Sequence, residues 1–351
     1  MGTKMRKRAL TLFCRIWLVT LLLENLKCGC SFSLPNGSVE VKNKSKIEND
    51  ELKGAYGKNG PKVMHGLKDD ILNKYTLGGA MGLSLSRPVR IVAKWVTELD
   101  ELEAEQRHQG VNKKLIHFQR HGQGYHNLLG EMFKQFREIE IDSNDPKRNP
   151  FVMDETLDAP LTELGREQCR IAAMDSRKYK PQAVVTSSMQ RAVQTAMLTL
   201  PDLLPQRNNG DLNVPWIVHE GCREHLGFLK CNQRRALSEI KLDFPTLDYS
   251  EMADVTEEDT SFNPNGWESP LEMSNRAYDF LVNFIRPLSQ SEIFVVTHSA
   301  FLYNMCNTVL QFEPTSNSND QDEASLYSNL HPWFKTAEIR TFSLTFYDND
   351  N

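Results

Sequence analysis

Five side chains in this sequence have the types needed to move a phosphoryl group: the adjacent Arg120 and His121, then Arg191, Glu224 and His298. Two arginines offer forked donors that match the oxygens of a phosphate dianion. A histidine beside them can act as nucleophile when its imidazole is neutral. A second histidine can donate to a phosphoryl oxygen and balance charge as the transition state forms. A glutamic acid just outside that pocket can protonate a leaving alkoxide, then take a proton from attacking water. Phosphoryl transfer asks mainly for positioning and neutralisation of charge, which this set can supply without a metal.

Taken singly, each residue has a plainer reading. Arg191 alone is a cation on a helix surface, and His298 alone is a buried, hydrogen-bonded residue at a strand end. His117, His126, His219 and His225 also fall near these segments and read as packed or surface histidines. The order and placement of the four motifs together carry the functional reading.

The elements that must position them alternate in type. Leu115–Phe118 is a short apolar run ending at Arg120-His121-Gly122, and Ala183–Thr186 runs into Ser187-Ser188-Met189-Gln190-Arg191. Trp216–Val218 leads to Cys222-Arg223-Glu224, and Ile293–Val296 leads to Thr297-His298-Ser299. Helical patterns lie between, at about 163–175, 190–200, 232–242, 271–286 and 300–310. Strands alternating with helices predict an α/β domain with a mostly parallel sheet, whose ligands bind at the carboxyl ends of the strands. A last alternating run, Ile339–Tyr347, reads as an added edge strand.

Upstream, the chain changes character. The 351 residues carry a net charge of −5, but residues 1–85 hold +7 and the remainder −12. An acidic body excludes a general binder of nucleic-acid backbones. Residues 1–30 read as a signal or leader: Lys4, Arg6, Lys7 and Arg8 precede an apolar run, Ala9–Leu23, that Arg15 interrupts. The run is short for a bilayer span, so the expectation is targeting to the secretory route or an organelle, or a tether, with a cytoplasmic protein as the alternative. The sequons at Asn36 and Asn43 fit lumenal exposure. Residues 31–86 are Gly-rich and poor in aromatics, the composition of a disordered linker. Ile91, Trp95, Leu99 and Leu102 have helical spacing and predict a docking helix over 87–110, ahead of a catalytic domain at 112–348.

The motif residues resemble the histidine phosphatase superfamily, also called phosphoglycerate mutase-like. Arg120-His121-Gly122 with Asn127 matches R-H-G-x-x-x-x-N, and Leu161-Thr162-Glu163-Leu164-Gly165 with Gln168 looks like L-T-x-x-G-x-x-Q. Ser187 to Ala196 is similar to S-x-x-x-R-A-x-Q-T-A, and Val295 to His298 matches the segment of the second histidine. The resemblance implies a three-layer α/β/α sandwich with a mixed, mostly parallel sheet and no required metal or other cofactor. It implies His121 as the phosphorylated nucleophile, Arg120, Arg191 and His298 around the phosphate, Glu224 as proton donor, and Asn127 as a phosphate contact. The stretches 120–127 and 223–235 look like the plant and fungal phosphomutase-like branch. Gly124 stands where glycolytic mutases usually have serine, and Cys222–Phe228 replaces their L-N-E-R-x-Y-G stretch.

Three features around the site remain open in the sequence. Cys222 and Cys231, nine apart beside the site, read as free thiols in a reducing compartment, with pairing in an oxidising lumen as the alternative. Arg234 and Arg235 either contact a second anionic group of the substrate or lie on a solvated helix face. The acidic stretch Asp248–Asp259 reads as a solvated loop. The expected partner is a small phosphorylated substrate, with no stable membrane span in the mature domain. Three functions compete: a phosphatase, a phosphomutase using the same chemistry, and a non-catalytic phosphoester-binding module.

Overall fold

The computed structural model describes residues 87–96, 112–136, 138–205, 214–312 and 333–348, all within one compact unit, Lys62–Asn351. The leader and linker expected over 1–86 lie outside the described residues. The main elements are β1 (Val89–Val96), β2 (Lys113–Arg120), α1 (Tyr125–Phe136), α2 (Glu163–Met174), β3 (Ala183–Thr186), α3 (Gln190–Thr199) and β4 (Trp216–Val218). There follow α4 (Leu237–Asp243), α5 (Pro270–Asp279), β5 (Glu292–Thr297), α6 (Ser299–Thr308), β6 (Gln311–Phe312) and β7 (Ile339–Asp348). Helix α5 begins with a capping box between Ser269 and Glu272, with Pro270 in its first turn, and runs on as a π-helical turn, Phe280–Ile285.

The sheet order is β4-β3-β5-β2-β7-β1-β6. The β4-β3-β5-β2 half is parallel throughout, while β7 runs antiparallel to both β2 and β1. Side chains alternate across this sheet as the pleat requires. On β5, Ile293 and Val295 join a core with α5, the π-helical turn and α6; Phe294 and Val296 join a second core with α3 and Leu237 of α4. Helices therefore cover both faces, and the expected three-layer sandwich with a mixed, mostly parallel sheet is what the chain forms.

Two expectations need correction. The docking helix is, over its described part, strand β1. Val89, Ile91 and Ala93 are buried while Arg90 and Lys94 are exposed, a period of two rather than 3.6. The spacing of Ile91 and Trp95 fits both periods, and pairing with β7 over eight residues decides the matter. Residues 97–111 lie outside the described residues. Strand β7 is not an edge but an interior strand, because β1 pairs along its outer side. The domain thus includes residues from 89 and does not begin at 112.

Candidate active site

The parallel half of the sheet delivers the motif residues to one end. Arg120 is the last residue of β2 and His121 follows it. Ser187 follows β3 and leads to Arg191 in the first turn of α3. Glu224 lies beyond β4, and His298 joins β5 to α6. These are the carboxyl ends of neighbouring parallel strands, where this architecture places its ligands.

The loop after β2 is held by the two motif helices. Gln123 N–H donates to Gln168 Oε1 at 2.9 Å, and Gly122 N–H donates to Thr195 Oγ1 at 3.0 Å. Thr162 caps α2 by accepting from Gly165 N–H at 3.0 Å while its hydroxyl donates to Gln123 Oε1 at 2.8 Å. Gln194 Oε1 accepts from Leu161 N–H at 2.9 Å, tying α3 to the start of α2. The L-T-x-x-G-x-x-Q and Q-T-A positions are therefore the clamp on the segment carrying His121.

His121 is buried, and its Nδ1 lies 2.6 Å from the Gly122 carbonyl. A carbonyl can only accept, so Nδ1 carries the proton and Nε2 keeps its lone pair. Burial, followed by the charges of Arg191 and Arg120, holds the imidazole well below its ordinary pKa, hence neutral. His298 is buried with its ring centroid 5.1 Å from that of His121. Its Nε2 lies 2.9 Å from Ser187 Oγ, leaving Nδ1 as a buried ring nitrogen with no partner among the described residues. Burial first, then Arg191, lowers its pKa as well.

Arg191 is fully buried; its two terminal nitrogens donate to Cys231 O at 2.8 Å and Asn232 Oδ1 at 3.1 Å, and its Nε has no protein partner. Arg120 donates to Phe334 O at 2.8 Å. Glu224 Oε1 accepts from the backbone N–H groups of His225 and Ala300 at 3.0 Å and of Phe301 at 3.3 Å, and Oε2 accepts from Ser299 Oγ at 3.2 Å. The start of α6 thus fixes the carboxyl in direction. One atom each of His121, Glu224 and His298 all lie within 4.8 Å of one another, a spacing that suits one shared ligand. Two guanidinium groups beside three neutral imidazoles, with little solvent to screen them, favour an anion as that ligand.

The structure brings together Arg120, His121, Arg191, Glu224 and His298. Asn127 lines the adjoining cleft but uses Oδ1 to accept from Gly124 N–H at 3.0 Å, shaping the loop at the entrance to α1. Arg234 and Arg235 depart from both expectations. Arg234 is buried and donates to the carbonyls of Thr256, Glu257 and Glu258, pinning the acidic loop. Arg235 pairs with Asp158 at 2.9 Å and Asp243 at 2.8 Å. These donors serve the protein, although Arg234 Nε and one terminal nitrogen of Arg235 have no hydrogen-bond partner among the described residues. Of the two alternatives left open for Cys222 and Cys231, the structure has buried free thiols; burial pushes the Cys231 thiol up to about 12.

One site residue was read as a bystander. His126 is buried in the same cleft, its ring centroid 5.6 Å from that of His121, with Nδ1 unpartnered. Its signal was Gly124. A Cβ there would come within 2.7 Å of the His126 ring, so a residue larger than glycine would push the imidazole aside. Asp158, with φ of +40°, supports the site and carries no motif in the sequence. Its buried carboxylate accepts from Gln190 N–H at 2.8 Å, holding the start of α3 next to Arg191.

The family model described as the histidine phosphatase superfamily (branch 1) matches residues 116–331. Phosphoglycerate mutase-like protein 1 of Arabidopsis thaliana is 32% identical over 224 residues, covering 56% of this chain and 72% of that protein. A probable phosphoglycerate mutase of Saccharomyces cerevisiae is 27% identical over 226 residues, covering 58% and 74%. Among solved structures, a mycobacterial glucosyl-3-phosphoglycerate phosphatase is 20% identical, with a TM-score of 0.37 over 66% of this chain and 90% of that one.

Proposed function

The chain belongs to the histidine phosphatase superfamily, and from that premise we propose that it hydrolyses phosphomonoesters through a phosphohistidine formed on His121 Nε2. The observation that carries this reading is the bare Nε2 of a neutral, buried His121, set by the Nδ1–H bond to Gly122 and flanked by two guanidinium groups.

The substrate phosphate lies between Arg120, Arg191 and His298. His121 Nε2 attacks phosphorus opposite the ester oxygen; the N–P bond forms as the P–O bond breaks. Glu224, as the acid, gives its proton to the departing alkoxide, and the alcohol leaves. The Glu224 carboxylate then takes a proton from a water molecule, which attacks phosphorus and restores His121 with release of inorganic phosphate. His298 gains basicity when a dianion arrives and donates from Nδ1, the nitrogen without a protein partner.

A labile phosphodonor such as acetyl phosphate tests the first step. The full-length chain should acquire an acid-labile, base-stable phosphate that His121→Ala lacks. Wild-type turnover in that variant would overturn the mechanism. Product analysis separates the two outcomes of the shared chemistry: free phosphate for hydrolysis, a positional isomer without phosphate release for a mutase.

A further inference from the structure

His121 and Glu224 line a cleft of about 680 Å³, the open solvent at its mouth included. Its apolar lining is Ile141, Phe151, Leu229, Cys231, Trp267 and Ala300, and its other lining residues are polar. Ile141, Phe151, Phe228, Leu229 and Cys231 form a small apolar cluster separate from the two cores of the sandwich, with Trp267 packed against it. Ligand pockets are lined mainly by apolar and aromatic side chains with a few polar groups, as this cleft is.

Both walls are built rather than loosely draped. On one side, Asn149 Nδ2 donates to Ile141 O at 2.8 Å while Oδ1 accepts from Phe151 N–H at 3.1 Å. Phe151 sits directly on α1, where a Cβ at Gly130 would come within 2.7 Å of its ring. On the other side, Trp267 stacks on His225, with centroids 4.7 Å apart and planes at 28°, and meets Phe228 edge-on at 4.7 Å. Gly227, at φ +146°, pairs its backbone with Trp267 and has no room for a side chain there. Glu268, next to Trp267, pairs with Arg276 at 2.7 Å, and Arg276 also donates to Gly221 O, Arg223 O and Glu224 O. The aromatic wall is therefore fixed to the segment carrying the proposed acid.

The charge of this cleft is as informative as its shape. Glu224 is the one carboxyl that lines it, and no lysine or arginine does among the described residues. The nearby cations are turned to other partners. Arg234, Arg235 and Arg276 hold protein oxygens, and Lys230 Nζ donates to Gln233 Oε1 at 2.9 Å while lying over the Phe262 ring. A second phosphate or a carboxylate placed here would lose water and gain no counter-charge.

Resting on the phosphatase reading, we propose that this cleft is a leaving-group subsite for an uncharged, apolar, ring-bearing alcohol, so that the substrate is a monophosphate whose one anionic group is the ester phosphate. Trp267 is the specificity-determining side chain, stacking on the ring of the alcohol.

Four esters with alkyl leaving groups test this without changing the demand on the acid: 2-phenylethyl phosphate, glycerol 3-phosphate, glucose 6-phosphate and 3-phosphoglycerate. The full-length protein should prefer 2-phenylethyl phosphate in kcat/KM by about tenfold or more. Trp267→Ala should erase that preference through KM, and Trp267→Phe should restore most of it. Equal or better turnover of 3-phosphoglycerate or glucose 6-phosphate by the wild type overturns the proposal, as does equal loss on all four esters in Trp267→Ala. Labelling of His121 by acetyl phosphate, which carries no ring, reads the phosphatase mechanism separately. Label without the ester preference removes the subsite alone, and no label removes both.

Discussion

Gly165, in the first turn of α2, lies against Gln123 so closely that a Cβ on it would fall 2.1 Å from the Gln123 carbonyl oxygen. Backbone faces backbone there, and neither side can yield as a flexible side chain would. The replacement Gly165→Ala should push the loop away from α2 and carry His121 with it. Crowding of this type costs about 1–3 kcal/mol. Thermal unfolding should show a lowered Tm, and phosphate-ester turnover should drop by about tenfold or more, since a displacement near 1 Å in a reacting group is enough.

In the proposed mechanism, Glu224 donates to the leaving group only where the leaving group needs a proton. Glu224→Gln keeps the size of the side chain and its contacts with the α6 backbone N–H groups through the amide oxygen. It should slow alkyl phosphates by about 10²–10⁴, the usual worth of general acid catalysis, and nitrophenyl phosphate far less. Equal slowing of both ester classes, measured as initial rates, would remove Glu224 from that role.

Ser187 acts on the phosphate through His298 in the proposed mechanism. The His298 Nδ1–H tautomer, the one able to donate to an anion, needs Nε2 to accept, and Ser187 Oγ at 2.9 Å is placed to donate to it. Ser187→Ala should lower kcat with less change in KM and shift the acid side of the pH–rate profile; Ser187→Thr should recover part of the rate. An unchanged pH profile in Ser187→Ala would make the serine only a packing residue.

Stability should fall with acid. His121, His126 and His298 all have pKa values held well below the ordinary 6.5, chiefly by burial. The unfolded chain therefore binds protons that the folded chain refuses, and stability present above about pH 6.5 is lost as pH falls toward the folded values. Asp158 opposes this. Burial raises its pKa from 3.8 to about 6, so its own contribution weakens as pH rises across that interval. Burial lowers His219, to about 4, and His225 as well, so five groups against one predict a Tm that declines from about pH 7 to about pH 5, and His126→Asn should make that decline shallower. Phosphate should restore Tm at low pH, because a bound dianion favours the protonated imidazoles.

Much of this could be read from the sequence. The ends of β2, β3, β4 and β5 were legible because short apolar runs stop at residues with chemistry, and the structure collects Arg120, Arg191, Glu224 and His298 around His121 there. What escaped depends on distance along the chain. Ile91 and Trp95, four apart, satisfy a helix or a strand equally, and only the remote β7 chooses between them. Nothing in Ile339–Tyr347 announces that a segment about 250 residues upstream will cover its outer side. Arg234 looked like a free cation because its acceptors are backbone carbonyls, which a sequence does not display. His126 and Trp267 enter the site through the close approaches at Gly124 and Gly227, a meaning that glycine carries only once its neighbours are known.

Strand β1 has a consequence for how the polypeptide can mature. It supplies the outer neighbour of β7 along eight residues and also carries β6, while Arg87 just before it donates to Ser274 Oγ at 2.8 Å and lies over the Tyr278 ring. Proteolytic removal of an N-terminal segment leaves the sheet whole only if the cut falls upstream of Arg87. A cut between β1 and β2 that released β1 would leave β7 with a bare hydrogen-bonding edge, inviting association between copies. The chain that the sheet requires therefore reaches about thirty residues ahead of Arg120-His121-Gly122, and a recombinant domain begun nearer to that signature should be prone to aggregate.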